Sequence, residues 1–234
     1  DGNSLLVTLE DCFRRKNAIN VIVVGKNPMP QWLTLEEARK QIKVGVGIWE
    51  WAHEGFKNPD VVIASAGDHM TVEALAAVSI LKKEAPELAI RFVNVSELTS
   101  LGIGDEKHPF RLGDKQFDKY FTPDKSIIFN FHGYPDVIKK LVFGHPAAER
   151  FSIHGYSEEG TTTTPFDMHV RNQTSRYHLV MDALEKGAKV NEVVAKKTPK
   201  LIAKMQKKLL QHQKYILKYG KDMEEIENWK WKNK

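Results

Sequence analysis

A chain of 234 residues, 41% apolar and 28% charged, has ordinary globular composition and enough length for one sizeable core. Its single cysteine, Cys12, excludes an internal disulfide or a multi-cysteine zinc centre, and no apolar run approaches the roughly 20 residues of a membrane-spanning helix. The net charge of +5 is uneven, because lysines crowd into residues 190–234 and leave the rest close to neutral. These features fit a cytoplasmic protein, and the first residue, Asp1, suggests a processed chain or a piece of something larger.

Residues 5–16 carry Leu5, Leu6, Leu9, Cys12 and Phe13 at helical spacing and predict a short opening helix. The β-branched run 19–25 predicts a buried strand that stops abruptly, since Pro28 and Pro30 forbid both helix and central strand. Strand ends of this kind are where α/β proteins keep ligands, so Lys26 is a candidate anion contact. The alternative is a solvated lysine. Thr34 and Glu37 form a capping box that opens an amphipathic helix running to about residue 52, weakened at Gly45 and Gly47. Strand 61–65, the turn Gly67-Asp68-His69 with Asp68 or Thr71 as cap, helix 71–84 and strand 88–95 continue a β-α-β order that implies a parallel sheet.

Short helices are predicted at 97–101 and 115–121, a fourth strand at 126–131 and a crossover helix at 134–142. A further short strand at 150–154 leads into a loop rich in turn residues and hydroxyls. Helix 166–185 follows, closed by Gly187, and residues 190–197 and 200–218 predict two basic amphipathic helices with Pro199 in the first turn of the second. The expected fold is therefore a three-layer α/β/α arrangement around a mostly parallel, mixed sheet of about five strands, residues 1–188. A basic helical extension, 189–234, packs on it.

Gly67-Asp68-His69 with Asn94 downstream approximates a magnesium-binding pattern of thiamine diphosphate enzymes. His69 and Val95 stand where that pattern needs glycine and asparagine, so a strand-to-helix turn is the reading preferred. Asp167, His169 and His178 come nearest to a metal cluster, but no two histidines are spaced to share a helix face, and no metal ligand is assigned. The C-terminal lysines with their aromatic neighbours could contact nucleic acid, yet a solvated amphipathic helix explains them with less, and neither nucleic acid nor membrane is expected as a partner. The loop with Gly155, Tyr156, Thr164 and Asp167 lies before a helix N-terminus, where it could receive an anion or form a rigid domain or subunit contact. No nucleophile has a base beside it, and no catalytic residue is assigned.

The strings Val24-Gly25-Lys26-Asn27-Pro28-Met29-Pro30-Gln31-Trp32-Leu33-Thr34, Ser65-Ala66-Gly67-Asp68, Asn130-Phe131-His132-Gly133-Tyr134-Pro135 and Ile153-His154-Gly155-Tyr156, with Thr164-Pro165-Phe166-Asp167-Met168, resemble the C-terminal domain of phosphoketolases. The resemblance covers nearly the whole chain and implies a fold like the transketolase C-terminal domain. It also implies a larger thiamine diphosphate and Mg2+ enzyme, in which upstream domains hold the cofactor and this one holds none. Such an enzyme cleaves xylulose 5-phosphate, and in some members fructose 6-phosphate, with inorganic phosphate to give acetyl phosphate and an aldose phosphate. The family works as homodimers or larger homo-oligomers. Lys26, in its Val-Gly-Lys motif, would dock the phosphate of the sugar phosphate, while the catalytic residues belong to other domains.

Overall fold

The computed structural model describes residues 1–22, 28–102, 111–157 and 160–232. Its centre is a five-stranded sheet in the order β1-β3-β2-β4-β5, built from β1 (Val46–Ile48), β2 (Val61–Ala66), β3 (Ile90–Val95), β4 (Ser126–Phe131) and β5 (Phe151–Gly155). Strands β2 to β5 run parallel, with Val61 opposite both Ile90 and Ser126, and β1 runs antiparallel to β3 at one edge. Every residue of β2 is buried, as a central parallel strand with both faces covered requires.

Alternate side chains serve two cores. Val61, Ile63, Ile90, Phe92 and Ile128 face the layer of α3 (Asp68–Glu84) and α7 (Arg176–Gly187). Val62, Ala64, Val93, Ile127 and Phe129 face α4 (Asp114–Phe121) and α5 (Pro135–Val142), where Phe117, Phe121, Ile138 and Val142 complete the packing. The remaining helices are α1 (Gly2–Arg14), α2 (Leu35–Ile42), α6 (Pro165–Arg171), α8 (Glu192–Tyr219) and α9 (Glu224–Glu227). Helix α7 packs on α3, and α8 on α7.

The three-layer mixed sheet matches the sequence expectation, but four elements differ from it. Of the expected strand 19–25, residues 19–22 are in no strand, with Ile19 96% and Val21 84% exposed, and residues 23–25 lie outside the described residues; the fifth strand among the described residues is β1. A β-branched run marks apolar surface without saying what covers it. The long helix predicted from Thr34 stops at Ile42, because Gly45 takes φ +85° with its Cα against Ser100 and Glu97, which turns the chain into β1. The helix predicted over 166–185 is two helices. Gln173 at φ 57° breaks it, and Thr174 and Ser175 turn the backbone before α7 begins. Conversely, α8 runs unbroken through Pro199, far from its first turn, because Asn191 accepts from the amides of Val193 and Val194 and caps the helix eight residues before the proline.

Candidate functional site

The topology marks one crevice. From β2 the chain passes through α3 to β3 on one side of β2, then through α4 to β4 on the other, so α3 and α4 diverge to opposite faces and the sheet opens between the carboxyl ends of β2 and β4. Asp68 follows β2, His132 follows β4 and Tyr156 follows β5.

Polar side chains at the strand ends fix this rim. Ser65 Oγ and Thr71 Oγ1 lie 3.0 Å apart, and Asn94 donates to Thr71 Oγ1 at 3.2 Å while accepting from Gln41 Nε2 at 2.7 Å. Asn130 Nδ2 donates to the carbonyls of Met70 and Thr174, which ties β4 to the starts of α3 and α7. Asn94 is thus engaged in an internal network. Asp68 is not the N-cap of α3; that place belongs to Gly67 at φ +103°, without a side-chain cap, while Thr71 Oγ1 donates to the Gly67 carbonyl at 2.6 Å. A Cβ on Gly67 would lie 2.5 Å from His132, so glycine lets the two strand ends approach.

Asp68 is bound by His132 and by the amide of His69, and a third imidazole, His169, lies beside the ring of His69. His132 Nδ1 is 3.3 Å from Asp68 Oδ1, and the same oxygen accepts the His69 amide at 2.7 Å. The ring of His69 lies 6.2 Å from that of His132 and 6.4 Å from that of His169, while Tyr156 stands 5.3 Å from His132 and 5.4 Å from His169. The His132 hydrogen bond, reinforced by the His69 amide and outweighing partial burial, holds the Asp68 carboxyl well below the usual carboxylate range. His169 is buried on α6 with Nδ1 3.0 Å from Thr174 Oγ1, and burial pushes its pKa down to about 4, so it is neutral at pH 7. Beneath it Arg176 grips Glu73 through Nε at 3.0 Å and Nη2 at 2.6 Å, both residues being buried. Burial opposes ionisation of Glu73, but the Arg176 charge and hydrogen bonds together outweigh it and keep the carboxyl below its ordinary value.

This arrangement can exchange protons and hydrogen-bond a polar group. Among the described residues no three histidine, cysteine or acidic side chains are placed to hold a metal ion. Asp68 also puts a carboxylate at the start of α3, where an anion would otherwise be received.

Of the residues singled out from sequence, Lys26 lies outside the described residues. The chain after it is anchored at this end of the sheet: Asp1 accepts the amides of Trp32 and Leu33 at 2.9 and 2.7 Å, and the Asp1 amino group feels the charge of Asp68. Gly155 closes β5, where a Cβ would meet Pro135 at 2.4 Å. The Tyr156 amide donates to the carbonyls of Phe131 and Gly133, and its ring joins the imidazoles. Thr164 and Asp167 point elsewhere. Thr164 caps α6 and donates to Asp222 Oδ1 at 2.5 Å, Asp222 being paired with buried His212, while Asp167 accepts from Thr163 and Arg171. Sequence reasoning missed His69, His132 and His169 as a group. Their signal was positional, since His132 directly follows β4 and His69 comes three residues after the end of the adjacent parallel strand β2.

The family model described as the XFP C-terminal domain matches residues 26–231. Proteins named probable phosphoketolase from Chlorobaculum tepidum and Bradyrhizobium diazoefficiens are 47% and 44% identical over 100% of this chain, which covers 29% of each of them. One from Clostridium acetobutylicum is 44% identical over 99% of the chain and 28% of its own length. The chain thus spans less than a third of the relatives it matches. Among solved structures, a transketolase from Leishmania mexicana aligns with 64% of this chain and 19% of its own at 12% identity and TM-score 0.46. A split-gene transketolase, an inactive beta4 tetramer, aligns with 70% and 48% at 14% identity and TM-score 0.47.

Proposed function

The chain belongs to the XFP C-terminal domain family, and from that premise we propose that it is the C-terminal domain of a phosphoketolase, completing the substrate-phosphate channel and subunit contacts of a longer polypeptide. That enzyme cleaves xylulose 5-phosphate, and also fructose 6-phosphate in some members, with inorganic phosphate, yielding acetyl phosphate and an aldose phosphate. Thiamine diphosphate and Mg2+ supply the carbon–carbon chemistry and are held by other parts of the polypeptide, a reading supported by the engagement of Asn94 with Thr71 and Gln41. The observation that carries the reading is identity of 44–47% along the entire chain to proteins more than three times its length.

Lys26 is the substrate contact. A lysine suits a phosphate as a point charge, and anchoring the non-reacting phosphate orients the carbonyl for reaction elsewhere. Support comes from the anchored flank: Lys26 is six residues before Trp32, whose amide is held by Asp1, and the Asp1 amino group feels the charge of Asp68 at the crevice. A second reading, in which the domain serves assembly alone, draws on Phe13, Ile19 and Val21, which are 85%, 96% and 84% exposed and suit a covering surface. We place the enzyme in the cytoplasm as a homo-oligomer, with residues 189–234 as an extension of the 1–188 domain.

The test is acetyl phosphate formation from xylulose 5-phosphate and inorganic phosphate. The complete polypeptide, loaded with thiamine diphosphate and Mg2+, is expected to turn over and the 234-residue chain alone to be inert. Turnover by the chain alone, or an inert complete polypeptide, contradicts the proposal.

A further inference from the structure

Helix α8 has two opposed faces, and only one is accounted for. Val194, Thr198, Leu201, Met205 and His212 are buried against the body, and the lysines beside them are paired, Lys197 with Glu87, Lys204 with Glu84 and Lys208 with Glu225. On the opposite side Lys196, Lys200, Lys207 and Lys214 are exposed and have no ion pair among the described residues. Together with Val193, Ala203, Leu210 and Leu217 they follow one another at steps of three and four residues, lysine alternating with an apolar residue from Lys200 onward, in a heptad stripe about 36 Å long at 1.5 Å per residue.

Solvation alone explains the lysines but not the apolar members. Leu210 is 58% and Leu217 81% exposed, one heptad apart on a face that gains nothing from leucine in water. Glu192 in the first turn is the sole acid of the helix, so the stripe has no counter-charge of its own. A second copy of the stripe cannot supply one, because lysine would meet lysine. Nucleic acid would use the lysines but not the leucines. A protein surface carrying carboxylates beside an apolar seam satisfies both.

We infer that the outward stripe of α8 is a docking surface for an acidic, apolar-seamed protein segment belonging to the portion of the complete polypeptide that lies outside this chain. The inference rests on the reading that the chain is one part of a longer protein, since it covers 29% of its relatives, and it is independent of Lys26.

Zero-length carbodiimide coupling, which joins lysine amines to carboxylates in contact, tests it on the native complete polypeptide. Lys200, Lys207 and Lys214 are expected to couple to aspartates or glutamates outside these 234 residues. The size of the product on a denaturing gel tells coupling within one polypeptide from coupling between two. Acetylation of the same lysines should be about tenfold slower than that of exposed Lys189, a ratio that Leu210→Glu together with Leu217→Glu abolishes. Acetylation as fast as at Lys189 overturns the inference. So does protection that vanishes with nuclease, or coupling confined to the 234 residues. Loss of the Lys26 role would change sugar phosphate kinetics and leave the coupling pattern intact, so the two failures are distinguishable.

Discussion

Burial sets the charge of His169, and that choice has a measurable consequence. Its folded pKa of about 4 lies below the ordinary 6.5, so the unfolded chain binds the proton more readily between those values. The associated stability is complete above pH 6.5 and is lost as pH falls towards 4, about 3 kcal/mol in all. Urea unfolding at pH 7 and pH 4.5 should show the native chain losing roughly 2–3 kcal/mol more than His169→Gln; equal losses would remove His169 from the account. The buried Glu73–Arg176 pair makes a second expectation. Glu73→Gln leaves the guanidinium without its counter-charge and should cost about 3–5 kcal/mol, while Glu73→Leu with Arg176→Met together should cost less than the two single changes summed. Additive losses would show that the two side chains act independently. At this scale the sequence displayed residues without their partners. Gln41 and Asn94 are 53 positions apart, and Glu73 and Arg176 are 103, so only the folded chain shows that each pair is joined.

Helix and strand identity was legible where periodicity and stop signals agreed, as in β2, α3, β4 and α5. It failed where one residue overrode the pattern. Gly45 and Gln173 enter left-handed backbone and divide what reads as continuous helix. Pro199 did the reverse, because a proline that looks like a helix start is carried inside α8 by packing of the flanking turns on α7, with Thr198 Oγ1 donating to the Val194 carbonyl at 2.9 Å. Proline removes the hydrogen bond to the Ala195 carbonyl and crowds it. Pro199→Ala is therefore expected to raise stability by about 1–3 kcal/mol, read from the shift of the urea midpoint; a neutral or destabilising result would mean that α8 needs the bend proline imposes.

Across the whole molecule, all five tryptophans form one cluster that joins the two ends of the chain. Trp49 lies 6.2 Å from Trp32 and 5.2 Å from Trp51, Trp51 meets Trp231 at 5.3 Å, and Trp231 meets Trp229 at 6.4 Å. Removing residues 229–234 should red-shift tryptophan emission and lower the unfolding midpoint, because Trp51 loses its cover; an unchanged spectrum would contradict the closure. The family was legible from sequence blocks running from Val24 to Met168. The imidazole crevice was not, since three histidines on separate elements share no spacing that a linear reading can detect. Lys26 was singled out for following a buried strand, yet residues 19–21 are exposed, so its case now rests on the family and on the anchored Trp32–Leu33 flank. The most direct test of the central claim is initial-rate kinetics of the complete, cofactor-loaded polypeptide carrying Lys26→Ala. The expected result is a KM for xylulose 5-phosphate raised roughly 10- to 100-fold, the worth of one charge-assisted contact, with the KM for inorganic phosphate little changed. An unchanged KM for the sugar phosphate would contradict it.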